Sequence, residues 1–139
     1  MKVFIDTNVL LDVLAAREPH YADSSRVWTL AESSRIDACV SAISFNNCYY
    51  VVRKYADRRK ADKAVRLLRD VFRPIDLTAR VLHQAIDAGF KDFEDAIQFH
   101  SAVRARAGSI VTRNPDHFPR EPLAVLSPAE FLAAHGFEP

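Results

Sequence analysis

Three short segments carry the residues best suited to chemistry. Asp6 stands in Asp6-Thr7-Asn8, directly after the apolar run Val3 to Ile5. Asp92, Glu94 and Asp95 crowd into four consecutive positions, and Asp116 closes Thr112-Arg113-Asn114-Pro115-Asp116. Carboxylates brought together from separate segments repel one another, and a divalent cation relieves that repulsion and keeps them ionised. A set of oxygen ligands alone favours Mg²⁺ or Mn²⁺ over zinc. Each segment also has a plainer reading. Asp6 suits a helix N-cap. Asp92 with Asp95 three residues on resembles a capping box, and acids in a first helical turn suit the macrodipole. Asn-Pro-Asp is good turn chemistry. Convergence of all three on one edge is harder to explain by capping than any one alone.

Positioning them falls to alternating short strands and helices. Val3 to Ile5 reads as a buried strand running into helix-start chemistry, and Val9, Leu10, Val13 and Leu14 have helical spacing that ends near Pro19. Helices are expected over Ala22 to Ser33, from Ser41 to Ser44 onward, over Lys60 to Val71, from Thr78 through Asp87, and over Glu94 to Ala107 with Gly108 as its stop. Strands are expected at Ile36 to Val40, Phe72 to Ile75, Ser109 to Thr112 and Leu123 to Leu126, with a loop over Asn114 to Pro122. Ser127-Pro128 opens a last helix. The alternation implies a three-layer α/β/α sandwich with a central, mainly parallel sheet. Sites in such sheets lie at the carboxyl ends of strands, which is where Asp6-Thr7-Asn8, Ser41 to Asn47 and Thr112 to Asp116 fall.

Composition narrows the class. The 139 residues fit one domain, 1–139, and 49% hydrophobic content suffices for a real core. Only 3 Gly argue against a turn-rich β-sandwich. Cys39 and Cys48 lack zinc-like spacing and read as buried thiols. No secretory signal and no membrane span are expected, which points to a cytoplasmic protein. No GxSxG, GxGxxG or P-loop occurs, and the 5 His are scattered. A phosphoacceptor Asp would also sit at a strand end, but that reading wants a paired acidic cluster after the first strand and a late Lys, and neither is evident.

Taken together, FIDTNVLLD, VSAISFNNCYYVVRK, DFEDAIQFHSA and IVTRNPDHF resemble a PIN domain, in order and spacing, across essentially the whole chain. The nearest likeness is to small single-domain PIN proteins, including VapC-type toxins of toxin–antitoxin pairs. The resemblance implies a metal-dependent endoribonuclease with an acidic pocket for Mg²⁺ or Mn²⁺. Carried over by position, it makes Asp6, Asp95 and Asp116 the metal ligands, with Asp92 assisting. Thr7, Asn8, Ser44, Asn47, Thr112 and Asn114 support the pocket. Asp95 or Asp92 would orient water for in-line attack on a phosphodiester. One position departs from the pattern. Many members have Glu where this chain has Asn47, whose amide oxygen can ligate a hard cation but brings no charge. A catalytically weak RNA- or protein-binding module of the same fold is the other reading.

The net charge is only +1, yet Arg53, Lys54, Arg58, Arg59, Lys60, Lys63, Arg66, Arg69 and Arg73 share one stretch opposed by Asp57, Asp62 and Asp70. One reading is a solvated helix with Asp62–Arg66 and Arg66–Asp70 pairs. The other is a phosphate-tracking patch for the RNA substrate, centred on Arg59, Lys63 and Arg66. Tyr49, Tyr50 and Tyr55 with Val51 and Val52 exceed what one helix face buries, so a homodimer or an antitoxin groove is expected there.

Overall fold

The computed structural model describes residues 1–137. Five strands form one sheet: β1 (Lys2–Ile5), β2 (Asp37–Ser41), β3 (Arg73–Ile75), β4 (Ser109–Val111) and β5 (Ala124–Leu126). Their order is β3-β2-β1-β4-β5, and every pairing is parallel. Seven helices connect them: α1 (Thr7–Leu14), α2 (Tyr21–Glu32), α3 (Ala42–Tyr55), α4 (Arg58–Val71), α5 (Ala79–Asp87), α6 (Phe93–Arg104) and α7 (Pro128–Ala134). The expected α/β/α sandwich is what forms. No described helix is long and apolar enough to cross a membrane.

Strand alternation sorts the core into two layers. Val3, Ile5, Ala38, Val40 and Val111 face one side, against Leu10, Trp28, Leu68 and Phe131. Phe4, Cys39, Ile110 and Val125 face the other, against Phe99 and Ala102 of α6. Both cysteines are buried and free. Burial pushes the Cys39 thiol up to about 11 and the Cys48 thiol up to about 12, as expected of packed, unreactive groups.

Most helix starts follow the chemistry read from the sequence, whereas α4 starts at Arg58, two residues before the expected Lys60, because Asp57 caps it. Ser41, Asp57, Thr78 and Ser127 each cap the helix they precede, and Glu130 completes a capping box with Ser127. The C-terminal end of α6 differs from expectation. The helix stops at Arg104, before Ala107, because the chain reverses through Arg106 at φ 57°. Gly108 is therefore not its stop; its N–H already donates to the Lys2 carbonyl of the central strand β1, at 2.9 Å. The loop after β4 also holds a single 3₁₀ turn at Pro115–His117.

The strand order sets the location of the site. From β1 the chain winds one way through β2 and β3, then returns to the other side of β1 for β4 and β5. The topological switch point thus lies between β1 and β4, and the crevice there opens at their carboxyl ends.

Candidate active site at the β1–β4 switch point

Asp6 leaves β1 at that switch point. Its backbone N–H still belongs to the sheet, donating to the Val111 carbonyl at 3.0 Å. Its side chain does not cap α1. Instead its Oδ2 accepts from the Thr112 hydroxyl at 2.8 Å. The Thr112 oxygen in turn accepts from the Asn114 N–H at 3.1 Å. One buried threonine thereby ties the ends of β1 and β4 together. Asn8 adds a second tie, accepting from the Arg113 N–H at 3.3 Å.

Asp6 is only 4% exposed, and no basic side chain pairs with it among the described residues. Burial drives its carboxyl from 3.8 up to about 7; Thr112 opposes the rise, and the Asp95 and Glu94 carboxylates add to it. Asp95, half-buried in the first turn of α6, is also raised, by burial first and then by Asp92, with His117 opposing. The His117 Nδ1 lies 3.3 Å from the Asp95 carboxylate. Asp92 is the N-cap of α6, its Oδ1 accepting from the Asp95 N–H at 3.0 Å. The capping geometry weighed from the sequence thus applies to Asp92 and not to Asp6.

The supporting residues fall into place around these acids. The Thr7 and Ser44 hydroxyls meet at 2.7 Å, joining α1 to α3. The fully buried Gln98 of α6 donates to the same Ser44 oxygen at 3.4 Å. Asn47 donates from Nδ2 to the Glu94 carboxylate at 3.0 Å.

Asp116 is placed otherwise than its segment suggested. Its side chain is 96% exposed and its carboxylate is held by Arg120 at 2.9 Å. The Pro115–His117 turn carries it out of the crevice and brings His117 to Asp95 instead. Among the described residues no three His, Cys, Asp or Glu side chains form a ready-made metal cage. Glu94 and His117 contact two of the expected residues, Asn47 and Asp95, without being expected themselves. Glu94 was visible as a member of the acidic run; nothing local marked His117, since its partner lies on another element.

Asp12 is likewise not among the expected residues. It is fully buried in α1, with Arg17 at 3.2 Å and Arg113 at 3.1 Å. The Asp12–Arg113 pair fastens α1 to the strand-end loop that carries Thr112. On α4, Arg59, Lys63 and Arg66 are exposed. The Asp62–Arg66 and Arg66–Asp70 pairs do not form; Asp70 pairs with Arg69 at 3.4 Å.

Comparison with known proteins agrees with this geometry. The chain is 26% identical over 135 residues to the ribonuclease VapC1 of Aquifex aeolicus (strain VF5), covering 94% of this chain and 92% of that protein. The fold is shared with VapBC-1 of nontypeable Haemophilus influenzae, at a TM-score of 0.69 and 15% identity over 93% of this chain and 99% of that one. It is shared with VapBC2 of Rickettsia felis, solved bound to a promoter DNA fragment, at 0.66 and 18% identity over 91% and 98%. It is shared too with the sarcin-ricin loop cleaving toxin VapC20 of Mycobacterium tuberculosis, at 0.63 and 20% identity over 78% and 86%. The sequence model of the PIN domain matches residues 2–116, which contain Asp6, Asp95 and Thr112. A parallel sheet with its acids at the β1–β4 switch point and a family match over most of its length place this chain in the PIN domain family.

Proposed function

We propose that the protein is a metal-dependent endoribonuclease, the toxin of a toxin–antitoxin pair acting in the cytoplasm as one domain over 1–139. A single observation carries the reading. Asp6 and Asp95 are both pushed toward protonation at the switch-point crevice, with no Lys or Arg paired to either among the described residues. A buried charge left without a cation is costly, and an oxygen-only donor set fits Mg²⁺ or Mn²⁺. Asp6 and Asp95 would hold the ion, with Asp116 joining only if its turn swings inward from Arg120. A bound divalent cation supplies Lewis-acid polarisation of a phosphodiester and lowers the pKa of water. Thr112 holds Asp6 in place, and Asp95, with Asp92 behind it, orients the attacking water. The name of the Aquifex relative supports RNA as the substrate. Exposed Arg59, Lys63 and Arg66 supply a surface that tracks phosphates.

Two features support a protein partner. Tyr50 and Tyr55 are 57% and 77% exposed. An apolar groove of about 720 Å³ lies among α1 to α4, lined by Val13, Leu14, Trp28, Val51, Tyr55 and Leu67, with Lys60, Lys63 and one acid, Glu32, also in its lining. It suits the apolar face of an amphipathic helix with acidic flanks, as an antitoxin would present. The remaining tyrosine surface fits a homodimer, and light scattering that gave a monomer mass at high concentration would overturn that assembly.

RNA cleavage in Mn²⁺ or Mg²⁺ tests the activity: wild type cleaves and Asp6→Asn does not. Equal activity in the two, or none in wild type, overturns it. The outward Asp116 and the uncharged Asn47 favour a second reading, a catalytically weak RNA- or protein-binding module. Calorimetry separates the two, since the module would bind no Mn²⁺.

A further inference from the structure

The buried carboxylate of Asp12 meets two guanidinium groups, and among the described residues no second carboxylate pairs with either. Arg17 Nε donates to its Oδ1 at 3.2 Å. Arg113 Nε lies 3.1 Å from its Oδ2. A fastener between α1 and the strand-end loop needs one arginine, so one positive charge is left in excess. The two contacts also differ in kind. Arg113 Nε and Asp12 Oδ2 are close but not aligned, and neither has a hydrogen-bond partner. Among the described residues the Arg113 side chain makes no hydrogen bond at all, so its planar fork of donors is held by charge and left free to bind. The fork is within reach of solvent, with the Arg17 and Arg113 side chains 38% and 27% exposed above a carboxylate that is 0% exposed.

The backbone brings both arginines to the crevice. Arg113 follows Thr112, whose hydroxyl donates to Asp6 at 2.8 Å, and its own N–H donates to Asn8 Oδ1 at 3.3 Å. Arg17 returns to α1 through a reversal at Ala16, φ 48°. Its N–H donates back to the Asp12 carbonyl at 2.9 Å, and its Nη2 reaches the Asn8 carbonyl at 3.5 Å. Such a reversal usually uses glycine, and alanine is strained there. Asp12 stands about 9 Å along α1 from Asp6, at about 1.5 Å per residue, so one strand of RNA laid across the crevice spans both.

We propose that Arg17 and Arg113, positioned by Asp12, form a subsite for an RNA phosphodiester flanking the one at the acids. A phosphodiester carries the single negative charge that the pair leaves unmatched, and a guanidinium fork suits its two free oxygens. The inference rests on the RNA-substrate reading of the proposed function.

Fluorescence anisotropy of a labelled single-stranded RNA with the full chain in chelator reads binding without cleavage, and urea unfolding of each variant controls for folding. Arg113→Gln and Arg17→Gln should each weaken binding about tenfold. Each should lower the slope of log affinity against log salt by about 0.7, the share of one phosphate contact. Arg113→Lys keeps the charge and loses the fork, so it should restore the slope and only part of the affinity. Arg104→Gln, an exposed charge at the far end of α6, should change neither. With metal present, Arg113→Gln should raise KM more than it lowers kcat. Wild-type affinity and slope in both Gln variants overturn the inference and leave RNA as the substrate. Affinity lost only in step with stability, at an unchanged salt slope, also overturns it and assigns the arginines to fastening. Absence of RNA binding in wild type overturns both the inference and the substrate reading beneath it.

Discussion

Asp6 should make the metal-free protein less stable as pH rises, and Asp6→Asn should remove that loss. Burial holds its carboxyl at about 7 in the folded chain against 3.8 for the ordinary group. A raised carboxyl binds its proton more tightly when folded than when unfolded. Its contribution to stability is therefore complete below the unfolded value and is lost as pH climbs, until the folded carboxyl itself ionises near 7. A gap of roughly three units corresponds to about 4 kcal/mol at about 1.4 kcal/mol per unit. About 2 to 3 kcal/mol of this falls between pH 5 and pH 8 on the same linkage. Asn keeps an oxygen for the Thr112 hydroxyl and cannot ionise. Denaturant unfolding of chelator-treated wild type and Asp6→Asn at those two pH values is the assay. The variant should gain about 2 to 3 kcal/mol more over wild type at pH 8 than at pH 5. The difference of differences cancels every other titrating group to first order. At pH 8, Mn²⁺ at a hundred times its Kd should add about 2.7 kcal/mol to wild type and nothing to the variant. A stability difference that is the same at both pH values would refute the reasoning, because Asp6 would then titrate as an ordinary carboxylate.

Three further outcomes are expected. Asp12→Ala leaves Arg17 and Arg113 without their buried partner. Because those guanidinium side chains are 38% and 27% exposed, the loss should be about 2 kcal/mol, below the range for fully buried pairs, read by urea unfolding. Replacing Arg59, Lys63 and Arg66 together with Gln should reduce the slope of log affinity for single-stranded RNA against log salt by about 2, at about 0.7 per phosphate contact; an unchanged slope would assign these charges to solvation alone. Ser127→Ala removes half of the capping box of α7 and should lower stability by about 1 kcal/mol, seen as a shifted thermal midpoint.

Much of this architecture is legible along the chain because the signals are local. Val3 to Ile5 ending at an acid, Thr78 before a helical face, and Ser127-Pro128 each announce an element from within a few residues. The sheet order rests on strands too short to vary in register once their apolar faces are set, as Phe4 opposite Cys39 and Ile110 illustrates. What the local signals could not supply is side-chain direction after a loop. Asp116 and His117 are adjacent, and only the 3₁₀ turn decides that His117 faces Asp95 while Asp116 faces Arg120. The same holds for Asp12, which looks like one more polar position of an amphipathic helix until Arg113 arrives from 101 residues away. The end of α6 departs from expectation for a related reason. Gly108 is the residue type that ends helices, but the reversal is made by Arg106, whose positive φ no propensity scale would assign.

The polar residues beneath the acids explain how the crevice tolerates them. Thr7, Ser44, Gln98 and Thr112 are all buried, and at such positions a hydrophobic side chain would pack as well. They are hydrogen-bonded in a line from α1 through α3 to α6, and from β4 to Asp6. The Ser44 oxygen accepts from the Gln98 amide and the Thr112 hydroxyl donates to Asp6, so two buried polar groups of the crevice are satisfied by hydroxyls. A cavity walled with Leu and Val would raise the cost of ionising Asp6 further. A cavity opened to water would lower it and give up the affinity that an undersolvated carboxylate offers a cation. Thr112 moves Asp6 between these limits: burial raises its carboxyl and the hydroxyl hydrogen bond lowers it again.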